Sequence, residues 1–112
     1  MKLVVAIVKP HKLEDVKEAL ENMGVQGMTI TEVQGFGRQR GHAEVYRGAE
    51  YRIDFVPKIK MEILVADDDA LRVVDEVMAA GRTNKIGDGK VWVLPVEHLA
   101  RIRTAEFGVE AL

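Results

Sequence analysis

A glycine-rich loop near the end of the sequence is the first segment whose residue types could do chemistry. Lys85–Lys90 reads KIGDGK, with two glycines between two lysines. Glycine lets backbone N–H groups approach a ligand closely, and flanking lysines neutralise negative charge, so this loop could bind phosphate. The GxxxxGK[ST] spacing of a P-loop is absent, and a solvated turn between a helix and a strand explains the segment at least as well.

Arg101 and Arg103 form a second candidate for anion binding. On an extended stretch, residues at i and i+2 project to the same side, so both guanidinium groups could hold phosphate oxygens. A charged, solvated tail is the commoner explanation of such a pair. Neither segment establishes a phosphate site by itself.

Tyr46 and Tyr51 place two phenols in a long polar segment, for which we expect a flexible loop at about residues 37–55. Closely spaced glycines precede this segment and do not suit a continuing strand. A loop of this length inside a compact domain is uncommon and is usually functional. It therefore suits docking or covalent modification, with incidental surface tyrosines as the alternative.

The sequence predicts no catalytic constellation. His11, His42 and His98 lie in separate segments, without metal-ligand spacing to one another. Asp67–Asp69 could suggest a metal site, but carboxylates at a helix N-terminus explain this run better.

Two βαβ units must position these segments. In the first unit, the apolar run at residues 3–8 predicts a strand buried on both faces. Apolar residues at spacings of three and four from Leu13 to Met23 then predict a helix, which Gly24 would end. The Thr-, Ile- and Val-rich residues 25–34 predict the second strand.

The second unit has the same order of elements. Residues 57–65 alternate between apolar and polar side chains, which predicts a strand, and Asp67–Asp69 would cap the helix that follows. Residues 90–96 predict the last strand, followed by a tail at about residues 97–112. The apolar stripe predicted for the second helix is formed by Leu71, Val74, Val77 and Met78.

The two units resemble each other in sequence, which predicts an α+β fold: a ferredoxin-like double βαβ sandwich over a single domain, residues 1–112. Its antiparallel sheet would carry both helices on one face, with the long loop between strands 2 and 3. No segment remains to cover the other face, which carries apolar residues. We therefore expect self-association.

Composition narrows the class of partner. The chain has 112 residues, a formal net charge of −2 and no cysteine. This charge gives no general attraction to nucleic acid or anionic lipid. The absence of cysteine fits a cytoplasmic protein. No apolar run approaches the roughly 20 residues of a membrane span.

Taken together and in this order, the segments resemble the P-II nitrogen regulatory signal-transduction family over essentially the whole chain. Two stretches carry the resemblance: Tyr46–Tyr51 (YRGAEY) and Thr83–Val93 (TNKIGDGKVWV). Gly35–His42 (GFGRQRGH) and Val56–Lys58 (VPK) also look as they do in the family. Such long joint agreement is far more specific than any one glycine loop.

The resemblance implies a homotrimer that is not an enzyme, with nucleotide sites between subunits where ATP and ADP compete. One subunit would surround the phosphates with its glycine-rich loop, and the neighbour would contribute its two arginines. The residues implied at this site are Gly87, Asp88, Gly89 and Lys90 in the loop, Arg101 and Arg103 from the neighbour, Ile7, Thr29, Gly35, Arg38 and Leu64 at the adenine and ribose end, and Gly37.

The resemblance also implies a 2-oxoglutarate site beside Mg-ATP. Gln39 would give its side-chain oxygen to Mg²⁺, a hard cation that prefers oxygen ligands. Lys58 would pair with the distal carboxylate of 2-oxoglutarate. Backbone groups near Gly37, Gly41 and Gly87 would complete the site. Because Gln39 lies at the base of the long loop, bound ligands would select the shape of the loop that partners recognise.

The long loop is implied as the output of the protein. Tyr51 stands at the position that a nucleotidylyltransferase modifies in the family, by uridylylation or adenylylation. Arg47 stands where some members insert a side chain into an ammonium transporter. Other implied partners are nitrogen-regulatory enzymes and kinases, including those that control glutamine synthetase. Contact with a membrane would be indirect, through the transporter.

The chain departs from the family at three places. Asn84 replaces a common glycine, and because asparagine tolerates left-handed backbone, we expect the loop to keep its shape. Leu64 replaces a common valine. Ala105–Phe107 follows Thr104 where many members continue with glycine, which could alter the tail.

Three other functions on the same fold are less well supported. An acylphosphatase-type enzyme would need a phosphate-binding loop after the first strand, where this chain has Lys9–Lys12 without glycine. An RNA-recognition module would need exposed aromatic residues on the central strands. An ACT-like amino-acid sensor would not explain the glycine-rich loop together with two tail arginines.

Overall fold

The computed structural model describes residues 1–36, 43–46, 49–52 and 55–112, with the backbone alone for 43–46 and 49–52. The strands and helices in chain order are β1 (Lys2–Val8), α1 (Leu13–Asn22), β2 (Thr29–Gly35), β3 (Ala43–Tyr46), β4 (Ala49–Arg52), β5 (Val56–Val65), α2 (Ala70–Gly81) and β6 (Lys90–Pro95). Short 3₁₀ helices cover Pro10–Lys12, Asp67–Asp69 and Gly108–Ala111.

Four strands form one antiparallel sheet in the order β2-β5-β1-β6. The predicted ferredoxin-like α+β arrangement is thereby confirmed. The register of the two central strands pairs Val4 with Ile63 and Val8 with Ile59, so the alternate residues of both strands share one face. This is the face on which α1 and α2 pack.

The core lies between this face and the two helices. Val4, Ala6 and Val8 of β1 are almost completely buried there. The alternation predicted for residues 57–65 is confirmed, because every second residue of β5 belongs to the same core. The other core residues are Val16, Leu20, Ile59, Met61, Ile63, Val65, Ala70, Val73 and Val77.

The opposite face of the sheet, which we call the open face, has no helix over it among the described residues. Leu64, Trp92 and Leu94 lie on this face, and each is more than 40% exposed. β1, which was predicted to be buried on both faces, is therefore fully buried on the helix-covered face and only partly buried on the open face. Val5 is buried on the open face, while Leu3 and Ile7 beside it are half-buried.

The predicted apolar stripe of α2 is confirmed at Val74 and Val77, which lie in or against the core, and is wrong at its other two residues. Ala70, Val73 and Val77 face the core, whereas Leu71 is 73% exposed and Met78 is 42% exposed. The small residues at the two ends of this helix, Ala70 and Gly81, allow it to approach the sheet closely, and periodicity in large apolar residues does not reveal such a face.

Two further expectations about local structure are corrected. β2 begins at Thr29 rather than Val25, because the Val25 N–H bonds back to the carbonyl of Leu20 at the end of α1. Asp67–Asp69 forms a 3₁₀ turn, and no side-chain bond caps α2. Gly24 has a φ of +101°, which confirms its place just beyond α1.

The segment predicted as a loop contains a two-stranded hairpin. β3 pairs with β4 in antiparallel register, with Tyr46 opposite Ala49 and Glu44 opposite Tyr51. Residues 37–42, 47–48 and 53–54 lie outside the described residues. The predicted flexibility of this segment therefore stays a prediction. None of the described helices has the length and apolar character to cross a membrane.

Candidate functional site

The loop between α2 and β6 is organised around the carboxylate of Asp88. Its Oδ2 accepts hydrogen bonds from the backbone N–H groups of Thr83 (2.8 Å) and Asn84 (2.9 Å). Its Oδ1 accepts the hydroxyl of Thr83 and pairs with the ammonium of Lys9 at 3.2 Å. The hydroxyl of Thr83 is the main reason that the pKa of Asp88 lies far below its ordinary value. Asp88 thus holds the loop together through internal partners.

Left-handed backbone gives this loop its shape. Asn84 has a φ of +66°, as expected for an asparagine in place of glycine, and Gly87 and Gly89 have φ values of +97° and +100°. A Cβ on Gly89 would lie 1.7 Å from the carbonyl oxygen of Ile7. Only glycine therefore fits at residue 89, and its absent side chain lets the loop lie directly against the end of β1.

Lys58 joins the loop to the sheet. This lysine of β5 is buried, at 6% exposure, and its ammonium donates a hydrogen bond to the carbonyl of Gly87. Burial lowers the pKa of Lys58, the nearby Lys9 lowers it further, and the carboxylate of Asp88 opposes both effects. Because Lys58 is already largely removed from water in the folded protein, an anionic ligand that binds its ammonium adds little further desolvation cost for the lysine.

These groups form one half of the candidate site, which we call the loop-side cluster: Ile7, Gly35, Lys58 and Gly87–Lys90. Gly35 belongs to it because a Cβ there would lie 3.3 Å from Cγ of Lys58. Ile7, Gly89 and Lys90 also line a cavity of about 430 Å³ between α2 and β6, which Lys58 and Gly35 do not line. The loop-side cluster offers backbone N–H groups and lysines to an anion.

A second cluster lies at the other end of the sheet. Thr29, Glu62 and Leu64 line a cavity of about 670 Å³, together with Leu112 of the tail. Arg101 reaches the same region, because its Nη2 donates to the backbone oxygen of Leu112 at 2.6 Å. We call these five residues the tail-side cluster. It combines a cavity of mixed polar and apolar lining with the carboxylate of Glu62 and the guanidinium of Arg101.

The two clusters extend toward opposite ends of the sheet within one chain. Lys58 and Leu64 both lie on β5, six residues apart, which at the usual rise of a strand is about 20 Å. The resemblance groups Ile7 and Gly35 with Thr29 and Leu64, whereas the structure places Ile7 and Gly35 in the loop-side cluster. A compact site that uses both Lys58 and Leu64 would therefore take them from two copies of the chain.

Several site residues of the sequence analysis lie outside the described residues: Gly37, Arg38, Gln39, Gly41 and Arg47. Tyr51 falls in β4, whose side chains are not described. Arg103 is exposed in the tail. Within the described part of the chain, no group of three or more histidine, aspartate or glutamate side chains could hold a metal ion.

Sequence reasoning missed Lys9 and Glu62. Lys9 donates to the hydroxyl of Thr83 at 3.0 Å, across 74 residues of sequence, so no local pattern could have connected them. Glu62 looked like an ordinary polar residue in an alternating strand. Its place in the cavity with Thr29 follows from their pairing in the sheet, which the sequence does not state.

Comparison with known proteins shows the family of the chain. The family profile described as nitrogen regulatory protein P-II matches residues 1–106. The chain is 54% identical to "Nitrogen regulatory protein P-II" of Bradyrhizobium diazoefficiens and 56% identical to "Nitrogen regulatory protein GlnK" of Escherichia coli K12. Each match covers 100% of both chains.

The names of these relatives describe regulators, which confirms the prediction of a signalling protein rather than an enzyme. The fold, the organisation of the glycine-rich loop and the full-length similarity all lead to the same assignment. This chain belongs to the P-II family of nitrogen regulatory proteins.

Proposed function

We propose that this protein is a homotrimeric sensor of ATP, ADP and 2-oxoglutarate that controls nitrogen assimilation through its long loop. The single observation that carries this proposal is the division of the site into a loop-side and a tail-side cluster at opposite ends of one sheet. Each cluster has groups suited to one part of a nucleotide, and neither would enclose it alone.

Self-association brings the two clusters together. When the loop-side cluster of one copy meets the tail-side cluster of the next, the contact is head-to-tail, and such contacts close into a ring when the rotation between neighbouring copies adds up to a full turn. The open face supports the same conclusion, because its half-exposed Leu64, Trp92 and Leu94 would be covered at the centre of a ring. The number three comes from the family resemblance.

The phosphates would lie on the loop-side cluster. The backbone of Gly87–Lys90, with positive φ at both glycines, forms an anion-binding concavity of the kind that nests provide. Asp88 contributes by holding the loop rather than by contacting phosphate, since its oxygens already accept internal hydrogen bonds. Arg101 and Arg103 of the neighbouring copy would supply cations.

The base and ribose would lie in the tail-side cavity of that neighbouring copy. Thr29 and Leu64 line it, and the carboxylate of Glu62 could accept a hydrogen bond from the amino group of adenine. Ile7 and Gly35 would approach the nucleotide from the loop side, with Arg38 and Gly37.

2-Oxoglutarate would bind beside the phosphates, with its distal carboxylate on Lys58. The ammonium of this residue is buried and close to the backbone of Gly87, so a dicarboxylate there would gain a poorly solvated ion pair. Backbone groups of Gly37 and Gly41 would complete the site. Bound Mg²⁺ would offset the charge between the carboxylate and the phosphates, and we propose Gln39 as its protein ligand.

Ligands would change the shape of the long loop, and partners would recognise the result. We propose Tyr51 as the site of nucleotidylylation, where added charge and bulk would block docking. We propose Arg47 as a docking residue for an ammonium transporter, and nitrogen-regulatory enzymes and kinases as further partners. The protein would work in the cytoplasm, where its proposed effectors are metabolites.

Calorimetric titration of 2-oxoglutarate into the purified protein tests this function. The titration is run with Mg-ATP, with Mg-ADP and without nucleotide. We expect binding with Mg-ATP alone, and loss of that binding in a Gln39→Ala variant. Binding of 2-oxoglutarate without nucleotide, or no binding under any condition, would refute the proposed sensor mechanism.

A further inference from the structure

The guanidinium of Arg101 is held by groups of its own tail. Its Nη1 lies 3.3 Å from the carboxylate oxygen Oε1 of Glu106, and its Nη2 donates to the backbone oxygen of Leu112 at 2.6 Å. Both terminal nitrogens of the guanidinium therefore have acceptors. These are the nitrogens with which arginine makes its bidentate contact to a phosphate.

The backbone of the tail places Glu106 beside Arg101. The Arg101 N–H donates to the carbonyl of Glu106, and the Ala105 N–H donates to the carbonyl of Arg101, both at 2.9 Å. Ala105 adopts a φ of +59° to make this turn, and Ala100 forms a β-bridge with Phe107. Arg101 and Glu106 are thus fixed across a tight hairpin.

We propose that Glu106 limits nucleotide affinity, because its carboxylate occupies Arg101 in place of phosphate. This inference rests on the proposed nucleotide site. A polyphosphate that approaches Arg101 must displace Glu106, and its own negative charge is repelled by that carboxylate as long as the carboxylate remains near. Binding is therefore an exchange of one anion for another on the same guanidinium.

The exposure of the pair sets the size of the effect. The side chains of Arg101 and Glu106 are 40% and 41% exposed, so solvent screens their attraction. A phosphate can therefore compete successfully, and loss of Glu106 should change nucleotide affinity by only about two- to fivefold. The expected direction is tighter binding, which a purely structural role of Glu106 would not produce.

The test compares E106Q with E110Q in the full-length protein. Glutamine keeps the shape of the side chain and removes its charge. Glu110 is exposed in the same tail, and the ion pairs of the described residues join Arg101 to Glu106 and not to Glu110. E110Q therefore controls for the general loss of one negative charge. Affinities for Mg-ATP and for ADP are measured by calorimetry at about 50 mM and 500 mM salt.

We expect E106Q to bind both nucleotides about two- to fivefold more tightly than the unchanged protein at low salt, with a smaller gain at high salt. E110Q should differ from the unchanged protein by less than about 1.5-fold. If the unchanged protein binds nucleotide but E106Q binds equally or more weakly, or if E110Q gains as much as E106Q, this inference alone is wrong. If the unchanged protein binds no nucleotide, the proposed function is wrong as well.

Discussion

Gly89 is the residue whose replacement should do most damage for the fewest added atoms. A Cβ at this position would lie 1.7 Å from the carbonyl oxygen of Ile7 and 2.8 Å from its carbonyl carbon, both backbone atoms. Contacts below 3.0 Å require something to move, and a paired strand cannot move freely. The loop, with Asp88 and the Gly87 carbonyl, must be displaced instead.

Gly24 provides a matched control for this change. Its φ of +101° is almost equal to the +100° of Gly89, but a Cβ there would have nothing within 4 Å. Alanine at residue 24 should cost about 1–2 kcal/mol, the usual penalty of left-handed backbone. Alanine at residue 89 should cost the same amount plus about 1–3 kcal/mol for the overlap with β1.

The assay is urea unfolding of both variants and the unchanged protein at one protein concentration, because the proposed self-association would make stability depend on concentration. We expect Gly89→Ala to be less stable than Gly24→Ala by about 1–3 kcal/mol. Equal stabilities would show that the loop relaxes without strain. The close approach of Gly89 to β1 would then not be what fixes the loop.

Three further predictions concern the charged groups and the open face. The lowered pKa of Asp88 stabilises the folded state fully above its ordinary value of 3.8, and this contribution is lost as pH falls toward the lower folded pKa. When the pH is lowered from about 7 to about 2, the unchanged protein should therefore lose more stability than Asp88→Asn. Thermal unfolding across this range measures the loss, and parallel curves of stability against pH for the two proteins would argue against the role of Asp88. Lys58→Met should weaken 2-oxoglutarate binding at least about thirtyfold and leave Mg-ATP binding within about threefold, measured by calorimetry. Trp92→Glu on the open face should dissociate the proposed oligomer, whereas Leu71→Glu, at an exposed apolar position on α2, should not. Light scattering measures the molar mass of each variant, and the reverse result would place the interface on the helices.

The sequence predicted the strands and helices well wherever their period is unambiguous. β5 alternates strictly up to Ile63, so its buried face could be read directly. The predicted stripe of α2 was right at Val74 and Val77 but wrong at Leu71 and Met78. The contact of α2 with the sheet also uses Ala70 and Gly81, whose small side chains carry little hydrophobic signal. The short strands β3 and β4 were missed, because their polar sequence has no period that distinguishes them from a loop.

The candidate site was predicted as a set of residues but not as two clusters. Resemblance named Gly35 and Leu64 together, and the register of the sheet shows that they lie far apart, because Gly35 is opposite Val56, eight residues along β5 from Leu64. The network of Asp88 was likewise unpredictable, because Lys9 reaches it from the other βαβ unit. Such contacts depend on how the units pack against each other, which local patterns do not contain.

The separation of the two clusters has a consequence for mixtures of subunits. In the proposed ring, each nucleotide takes one cluster from each of two neighbouring chains, so a chain damaged at Gly89 and a chain damaged at Arg101 fail in different halves of the site. Co-assembly of two such chains would restore some complete sites, roughly a quarter in a random equal mixture, although neither parent has any. The same geometry would let related regulators exchange subunits and form hybrid sites that neither gene encodes alone.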